Sequence, residues 1–237
     1  FVSLTNGDAG HQSMGGGALA KVRIAESKEA GNRFGVEYVV LNNHDGELMP
    51  TLENRLKMIK ELRDKDADIV IAQRPNDYHP DHRYTGVLVQ DAAYMVIVPN
   101  VLPDVPPLKK NPVFLYMQDR FQKPAPFSPD IAVDIDDVFK QKIYAMSAHE
   151  SQYFEWLPWT QGEAVLDAVP PGKEERLEWL ASNRKSAVND EITETLKKWY
   201  GKEHANQVKS AEAFEICEYG KQPTDEEIKK LFPMLGQ

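Results

Sequence analysis

The chain has 237 residues and a formal net charge of −9, and this length fits one large α/β domain, alone or with a small extension. The acidic balance disfavours nucleic acid as a partner, since no lysine- or arginine-rich run is interleaved with aromatic residues. No run of about eighteen apolar residues occurs, so no membrane span is predicted. The single cysteine, Cys217, excludes an internal disulfide framework and a thiolate zinc cluster, so any metal would bind histidine and carboxylate groups.

The N-terminus begins directly with a strand pattern, Phe1 to Thr5, with no initiating methionine or signal-peptide pattern before it. We therefore expect the natural protein to continue upstream of Phe1. This start leaves the cellular compartment open, with a periplasmic or secreted location favoured over a cytoplasmic one. The sequence is compatible with an oligomer but does not specify one.

Strand and helix patterns alternate over roughly the first hundred residues. After the first strand, the glycine-rich loop 6–17 lacks the G-x-G-x-x-G spacing of dinucleotide-binding loops. The remaining predicted elements are a helix over 18–31 that Gly31 closes, a strand over 35–41, a helix over 51–65 that Thr51 caps, a strand over 69–72 and helical spacing from Arg83 onward. This alternation predicts βαβ units, a parallel sheet and right-handed crossovers.

The second half of the chain is less regular. The proline-rich region 99–129 is predicted to be a long ordered loop or lid, interrupted by a strand over 113–117. Further candidates are a strand over 131–135, a helix over 136–147, helices that dominate from 163 to 205, and a returning strand over 213–219. We therefore predict an α/β core over residues 1–160 and a mainly helical extension over 161–237 that packs on it.

The segment from Asp68 to His82 is the most informative part of the chain, because the loop after its strand brings two imidazoles, His79 and His82, and two carboxylates, Asp77 and Asp81, to a helix start. Pro80 suits the first helical position, so His79 would precede the helix and His82 would lie in its first turn. Residues three apart share a helix face. A catalytic zinc site takes three nitrogen or oxygen ligands and one water, so one histidine could be a ligand and the other an acid or electrostatic stabiliser.

The alternative is that His79-Pro-Asp-His82 forms a capping turn with surface imidazoles, and a four-residue spacing alone does not decide between the two. Its position after a strand favours a site, because open α/β sheets bind ligands at the carboxyl ends of their strands. Other strand exits also carry polar groups that could converge on one crevice, namely Asp8, His11, His44 and Asp45.

Taken in order, five pieces of this chain resemble the PIG-L (LmbE-like) N-acetylglucosaminyl deacetylase superfamily, over about residues 1 to 155. They are Thr5-Asn-Gly-Asp-Ala-Gly10, Arg23-x-x-Glu26, Asp45-Gly46, His79-Pro-Asp-His82, and Lys142 followed by Ala145 and Ala148-His-Glu-Ser-Gln152. The resemblance implies a Rossmann-like three-layer α/β sandwich with a mostly parallel sheet. It also implies a zinc-dependent de-N-acetylase, in which other divalent metals could replace zinc.

The resemblance also implies roles for individual residues. His82 would be a zinc ligand, and His79 an acid or oxyanion stabiliser that Asp81 tunes. Arg23 would bind substrate, and His149 would lie near the site. Asp45 is expected to contact a ligand hydroxyl, with an Asx-turn as the alternative.

One family motif, Ala-His-Pro-Asp-Asp-Glu, does not occur in the sequence. In the family it supplies two further zinc ligands and the general base, after a strand that we expect upstream of Phe1. The residues encoded there discriminate between two interpretations. That motif would support an enzyme that deacetylates an N-acetylated sugar or glycoconjugate, whereas another sequence would favour a non-catalytic carbohydrate-binding protein. A nucleotide-dependent oxidoreductase ranks third, because the glycine-rich loop has the wrong spacing.

Several other residues are candidates for the site. Asp8 could face the crevice or satisfy backbone amides of the glycine-rich turn, and these alternatives stay open. His44 is expected to be a loop residue and His204 a solvated side chain. Tyr78 could reach the pocket, although a packed aromatic is the favoured alternative. Tyr153-Phe154 and Trp156 with Trp159 could stack on a sugar face, although core or lid packing is commoner for such pairs.

Overall fold

The structure is a computed structural model that describes residues 1–184 and 188–236. The described residues form two compact units, one made of residues 1–48 and 135–184 and the other of residues 49–134 and 188–236. Each unit is therefore built from two separate stretches of the chain. The predicted division near residue 160 stays a prediction.

The first unit contains a β-α-β arrangement. Strand β1 (Val2–Thr5) pairs in parallel with β2 (Val39–Asn43), and helix α1 (Gly16–Phe34) connects them. The helix does not end at Gly31 as predicted but at Gly35, which takes up the left-handed conformation with φ +72°. Gly31 serves a packing role instead, because a Cβ there would lie 2.8 Å from the Val36 carbonyl oxygen.

The rest of the first unit is helical. A 3-10 turn (Asp136–Val138) leads into α4 (Phe139–Met146), and a π-helical turn (Ser151–Trp156) runs directly into α5 (Leu157–Thr160). Helices α6 (Glu163–Asp167) and α7 (Lys173–Asn183) follow. Ile143, Phe154 and Leu180 form the buried centre of this part, so the α4 helix and the π-helical turn are packed on α7.

The second unit contains a four-stranded sheet in the order β3-β4-β6-β5, built from β3 (Ile69–Ala72), β4 (Val113–Met117), β5 (Ile131–Asp134) and β6 (Ala211–Gly220). Strand β6 confirms the predicted returning strand. The β3–β4 pair is parallel, whereas β6 runs antiparallel to both β4 and β5. The mixed α/β class is therefore confirmed, but the described pairings do not establish a mostly parallel sheet.

Five helices complete the second unit: α2 (Leu52–Asp64), α3 (Pro80–Met95), α8 (Asp190–Tyr200), α9 (Lys202–Ala205) and α10 (Asp225–Leu231). Thr51 caps α2 as predicted, since its hydroxyl accepts a hydrogen bond from the Asn54 amide at 3.2 Å. Within the described part of the chain, no helix has the length and apolar character needed to cross a membrane.

Two buried arginines hold the proline-rich region in place, which agrees with the predicted ordered loop. Arg63 of α2 donates to six carbonyl oxygens, those of Met95, Val96, Val98, Val101, Leu102 and Val105. Arg74, just after β3, forms a bidentate ion pair with Asp119, both contacts being 2.7 Å. Because buried charges must be paired or hydrogen-bonded, these contacts fix the course of the loop on either side of β4.

Candidate functional site

The turn Asp77–His82, which we call the 77–82 turn, connects β3 to α3 in the second unit. His79 is the N-cap of α3, and its Nδ1 accepts a hydrogen bond from the Asp81 amide at 3.2 Å. Pro80 occupies the first turn of the helix, as predicted. An Nδ1 atom that accepts has a lone pair, so in neutral His79 the proton lies on Nε2, which is then a hydrogen-bond donor.

His82 has the opposite arrangement of donor and acceptor. Its Nδ1 lies 3.1 Å from Asp77 Oδ1, and the Asp77 side chain is only 12% exposed. An ionised carboxylate can only accept, so Nδ1 of His82 donates, and in the neutral ring Nε2 then keeps a lone pair. This carboxylate–imidazole pair is the arrangement in which histidines bind metal ions, because the carboxylate fixes the tautomer and the ring orientation.

The remaining groups of the turn lie close to these two rings. The His79 and His82 ring centroids are 4.9 Å apart, and a His79 nitrogen and an Asp81 carboxylate oxygen are within 4.8 Å of each other. Asp81 is buried. Tyr78 was predicted to be packed, but it is 75% exposed. Its ring meets those of His79 and His82 in edge-on arrangements, with centroids at 5.9 and 5.7 Å.

In the first unit, Asp8 connects the loop after β1 to the loop after β2. Its Oδ1 accepts from the Asp45 amide at 3.0 Å, and its Oδ2 lies 2.6 Å from Nδ1 of His44. The Asp45 amide and then His44 lower the pKa of the Asp8 carboxyl, and Asp8 raises the pKa of His44. Asp8 thus accepts from a backbone amide, but this amide belongs to the loop after β2 and not to the glycine-rich turn.

Arg23 lies on the buried face of α1, and its Nη2 donates to the Gly10 carbonyl at 2.7 Å. Its buried Nε has no hydrogen-bond partner among the described residues. Burial lowers the pKa of Arg23, against the opposing effect of nearby carboxylates that include Asp45. A Cβ on Gly10 would lie 3.3 Å from Asp45 Oδ2, so three predicted features, namely Arg23, Asp45 and the glycine-rich loop, are brought together within the first unit.

His149 follows α4 in the same unit. Its ring contacts the rings of Tyr38 and Tyr153 edge-on, with centroid distances of 6.1 and 6.4 Å. Burial and then the positive charges of Arg23 and Arg33 lower the pKa of His149. These surroundings favour the neutral imidazole.

Two other histidines are paired with carboxylates. His11 Nε2 lies 2.8 Å from Glu155, and His204 Nε2 lies 2.7 Å from Asp134 in the second unit. His204 was predicted to be solvated, and its side chain is 41% exposed, but its ring also stacks on Tyr200 at 4.7 Å.

Sequence reasoning gave no role to three residues that hold these groups in position. Asp77 orients His82, Glu155 pairs with His11, and Glu26 accepts two hydrogen bonds from Ser151, both 2.7 Å. Only Asp77 had a local signal, since it lies five residues before His82. The other two contacts join residues more than a hundred positions apart.

Comparison with known proteins agrees with the sequence motifs. The profile of the PIG-L family, described as GlcNAc-PI de-N-acetylase, matches residues 1–93. A diacetylchitobiose deacetylase from Thermococcus kodakarensis is 30% identical over 172 residues, which are 67% of this chain and 61% of that protein. The chain therefore spans less than two thirds of the length of that relative.

Two solved structures have similar folds. The N,N'-diacetylchitobiose deacetylase of Pyrococcus horikoshii is 23% identical, with a TM-score of 0.63 over 91% of this chain and 71% of that one. The 4-carboxy-2-hydroxymuconate hydratase GalB of Pseudomonas putida KT2440 is 15% identical, with a TM-score of 0.64 over 94% and 83%. Because the two proteins carry different activities, this fold similarity does not by itself select a reaction. The resemblance that the motifs predicted is confirmed: the PIG-L family model matches residues 1–93, and the curated relative is a deacetylase.

Proposed function

We propose that the protein is a metal-dependent hydrolase that removes the acetyl group from an N-acetylated, GlcNAc-type sugar. The observation that carries the proposal is the pair of hydrogen bonds in the 77–82 turn, in which Nδ1 of His79 accepts the Asp81 amide and Nδ1 of His82 lies against Asp77. In the neutral rings, His79 would then offer an N–H and His82 a lone pair. The family match includes this turn, and the diacetylchitobiose deacetylase of Thermococcus kodakarensis is a relative.

The turn would supply one ligand of a kind that zinc accepts. His82 would hold the ion through Nε2, since its Nδ1 is engaged by Asp77. His79 is less suited to be a ligand, because its Nδ1 already accepts the Asp81 amide and its Nε2 carries the proton. When bound, zinc would polarise the amide carbonyl and lower the pKa of a water molecule to about 7.

The protein side chains would carry the rest of the reaction. His79 would donate its Nε2 proton in a hydrogen bond to the carbonyl oxygen as negative charge develops there. Asp81 would position this ring through its backbone amide and tune it through its buried carboxylate. The resemblance assigns the remaining two metal ligands and the general base to the Ala-His-Pro-Asp-Asp-Glu motif, which the sequence does not contain.

Three residues of the first unit are proposed to bind the sugar, and a fourth is proposed to position one of them. Arg23 has a buried guanidinium with donor capacity that the Gly10 carbonyl does not exhaust. Asp45 offers a carboxylate beside the same glycine. His149 would supply a neutral imidazole. Asp8 would act indirectly, because its carboxylate fixes the Asp45 amide.

The test is acetate release by the full-length protein from a panel of N-acetylated sugars, with added zinc and with a metal chelator. The proposal predicts release with zinc and loss of release with the chelator. Tight sugar binding without acetate release under any metal would instead support the non-catalytic carbohydrate-binding alternative. Neither binding nor release across the panel would refute both.

A further inference from the structure

We propose that Trp156 and Trp159 form a stacking subsite for a second sugar ring, next to the ring that carries the acetyl group. This inference deepens the proposed function and rests on it. It assigns an oligosaccharide, not a monosaccharide, as the preferred substrate class.

The two tryptophans form a parallel pair at the end of the π-helical turn. Their ring centroids are 5.3 Å apart and their planes differ by 17°. Trp159 is 47% exposed. This exposure is unusual for an indole ring, because packing one in a core buries a large apolar area. An exposed, flat indole that is backed by a second ring offers a preformed apolar surface of about the size of a pyranose ring.

The pair lies beside the polar groups that we propose to bind the first sugar. A Cβ on Gly10 would lie 3.7 Å from Nε1 of Trp156 and 3.3 Å from Asp45 Oδ2. The same glycine accepts the hydrogen bond from Arg23. The indole N–H, a carboxylate and a guanidinium therefore meet at one glycine, and Trp159 extends this surface by one ring.

Contacts with α1 and the glycine-rich loop fix the segment that carries the pair. Glu26 of α1 accepts from both the amide and the hydroxyl of Ser151, each at 2.7 Å. His11 of the glycine-rich loop pairs with Glu155 at 2.8 Å. Phe154 is buried between these two positions. The segment is therefore anchored at its first residue, in its middle and next to Trp156.

The backbone of this segment is also unusual. Residues Ser151–Trp156 form a π-helical turn, a conformation that is rare and is found frequently at functional sites. The extra residue in such a turn shifts the side chains that follow it relative to a regular α-helix. Here the rings that follow are Trp156 and Trp159. The turn therefore sets the direction of this stacked pair, which is the platform for the second sugar ring.

A sugar ring suits this surface because one face of a pyranose carries C–H groups, which pack on an aromatic ring, while its hydroxyls remain at the edge for polar partners. Such a platform discriminates by ring number and not by the acetyl group. A monosaccharide bound beside Gly10 would meet this pair only at Trp156, whereas the second ring of a disaccharide would stack on Trp159.

The experiment compares the dissociation constants of GlcNAc and of N,N'-diacetylchitobiose by isothermal titration calorimetry with the full-length protein, held in chelator so that neither sugar is hydrolysed. The wild type is expected to bind the disaccharide about tenfold more tightly, a difference of about 1.4 kcal/mol. In Trp159→Ala this preference is expected to fall to about twofold or less, with the affinity for GlcNAc unchanged.

Two control variants separate stacking from structural damage. Trp159→Phe keeps an aromatic face and is expected to retain most of the preference. Tyr94→Ala removes another exposed ring, 67% exposed on α3, and is expected to leave both affinities unchanged. Thermal unfolding of each variant checks that the fold is kept.

An unchanged disaccharide preference in folded Trp159→Ala overturns the subsite, as does equal binding of both sugars by the wild type. Failure to bind either sugar overturns it as well. Failure of the proposed function has a different signature, namely disaccharide binding that depends on Trp159 but no acetate release when zinc is supplied.

Discussion

The 77–82 turn and the cluster around Asp8 are both polar loop regions after strands, but they are assembled in different ways. The hydrogen bonds of the turn join residues two to five positions apart. Those of Asp8 reach His44 and Asp45, 36 and 37 positions away. The turn is therefore fixed by its own sequence and its helix, whereas the Asp8 cluster exists only once β1 and β2 are paired.

The largest effect is expected from His82→Ala. It removes the only proposed metal ligand of the turn, so the full-length protein should lose stoichiometric zinc and at least about a thousandfold in acetate release. Zinc content by atomic absorption and steady-state kinetics would measure the change.

His204→Ala is a matched control for this variant. Both histidines have side chains that are 41% exposed, and both are paired with an aspartate. Zinc content and activity are expected to be unchanged in His204→Ala. Equal zinc loss in the two variants would contradict a specific role for His82.

The next largest effect is expected from Asp77→Ala. Without the carboxylate, the His82 ring loses its orienting partner, and zinc affinity should fall about 10- to 100-fold, as for other partners of metal-binding histidines. Competition with a chromophoric chelator would measure the zinc affinity. Asp77→Asn keeps an acceptor oxygen and should recover much of the loss, so an equal loss in both variants would argue against the hydrogen bond as the cause.

An effect of intermediate size is expected from Arg23→Lys in the first unit. Lysine keeps the charge but lacks the planar guanidinium of Arg23. In Arg23, Nη2 donates to the Gly10 carbonyl and the Nε–H has no partner among the described residues. The KM for an N-acetylated sugar is expected to rise about tenfold, close to the ~1.5 kcal/mol of one hydrogen bond to a charged group, with little change in kcat. Arg55→Lys, which alters a half-exposed ion pair with Asp91, should leave the KM unchanged.

The smallest effect is a pH dependence of stability. The folded pKa of Asp8 is lowered, so its contribution is present above about pH 4 and is lost as the pH falls through that folded pKa. The folded pKa of His44 is raised, so its contribution is present below about pH 6.5 and is lost as the pH rises through its folded pKa.

Asp8→Asn should therefore lower the melting temperature more at pH 5.5 than at pH 8, by about one or two degrees, since the His44 side chain of the pair is 68% exposed. Differential scanning calorimetry at the two pH values would measure the difference. A melting temperature that falls equally at both values would show that the His44 ion pair contributes nothing and that only the Asp45 amide contact matters.

The contrast between the two regions also explains what the sequence could predict. The cap at Thr51, the helix start at Pro80 and the proximity of His79 to His82 follow from local spacing. The bond between Glu26 and Ser151 spans 125 positions and depends on tertiary packing. The helix end was misplaced because Gly31 allows the close approach of the Val36 carbonyl, while Gly35 is the cap.

The antiparallel part of the sheet has a similar explanation. Alternating strands and helices predict parallel pairing for as long as the alternation lasts. Strand β6 comes after α8 and α9 and inserts between β4 and β5, a placement that no local pattern encodes. Sequence therefore predicts the class of the fold better than the order of its strands.

The central claim is that Nε2 of His82 carries the lone pair that binds the metal. Long-range proton–nitrogen NMR of the histidine side chains during a zinc titration tests it most directly. The account predicts that His82 is protonated at Nδ1 before zinc is added, and that zinc shifts its Nε2 resonance while the His204 resonances stay in place. A His82 ring that is protonated at Nε2 and unresponsive to stoichiometric zinc would contradict it.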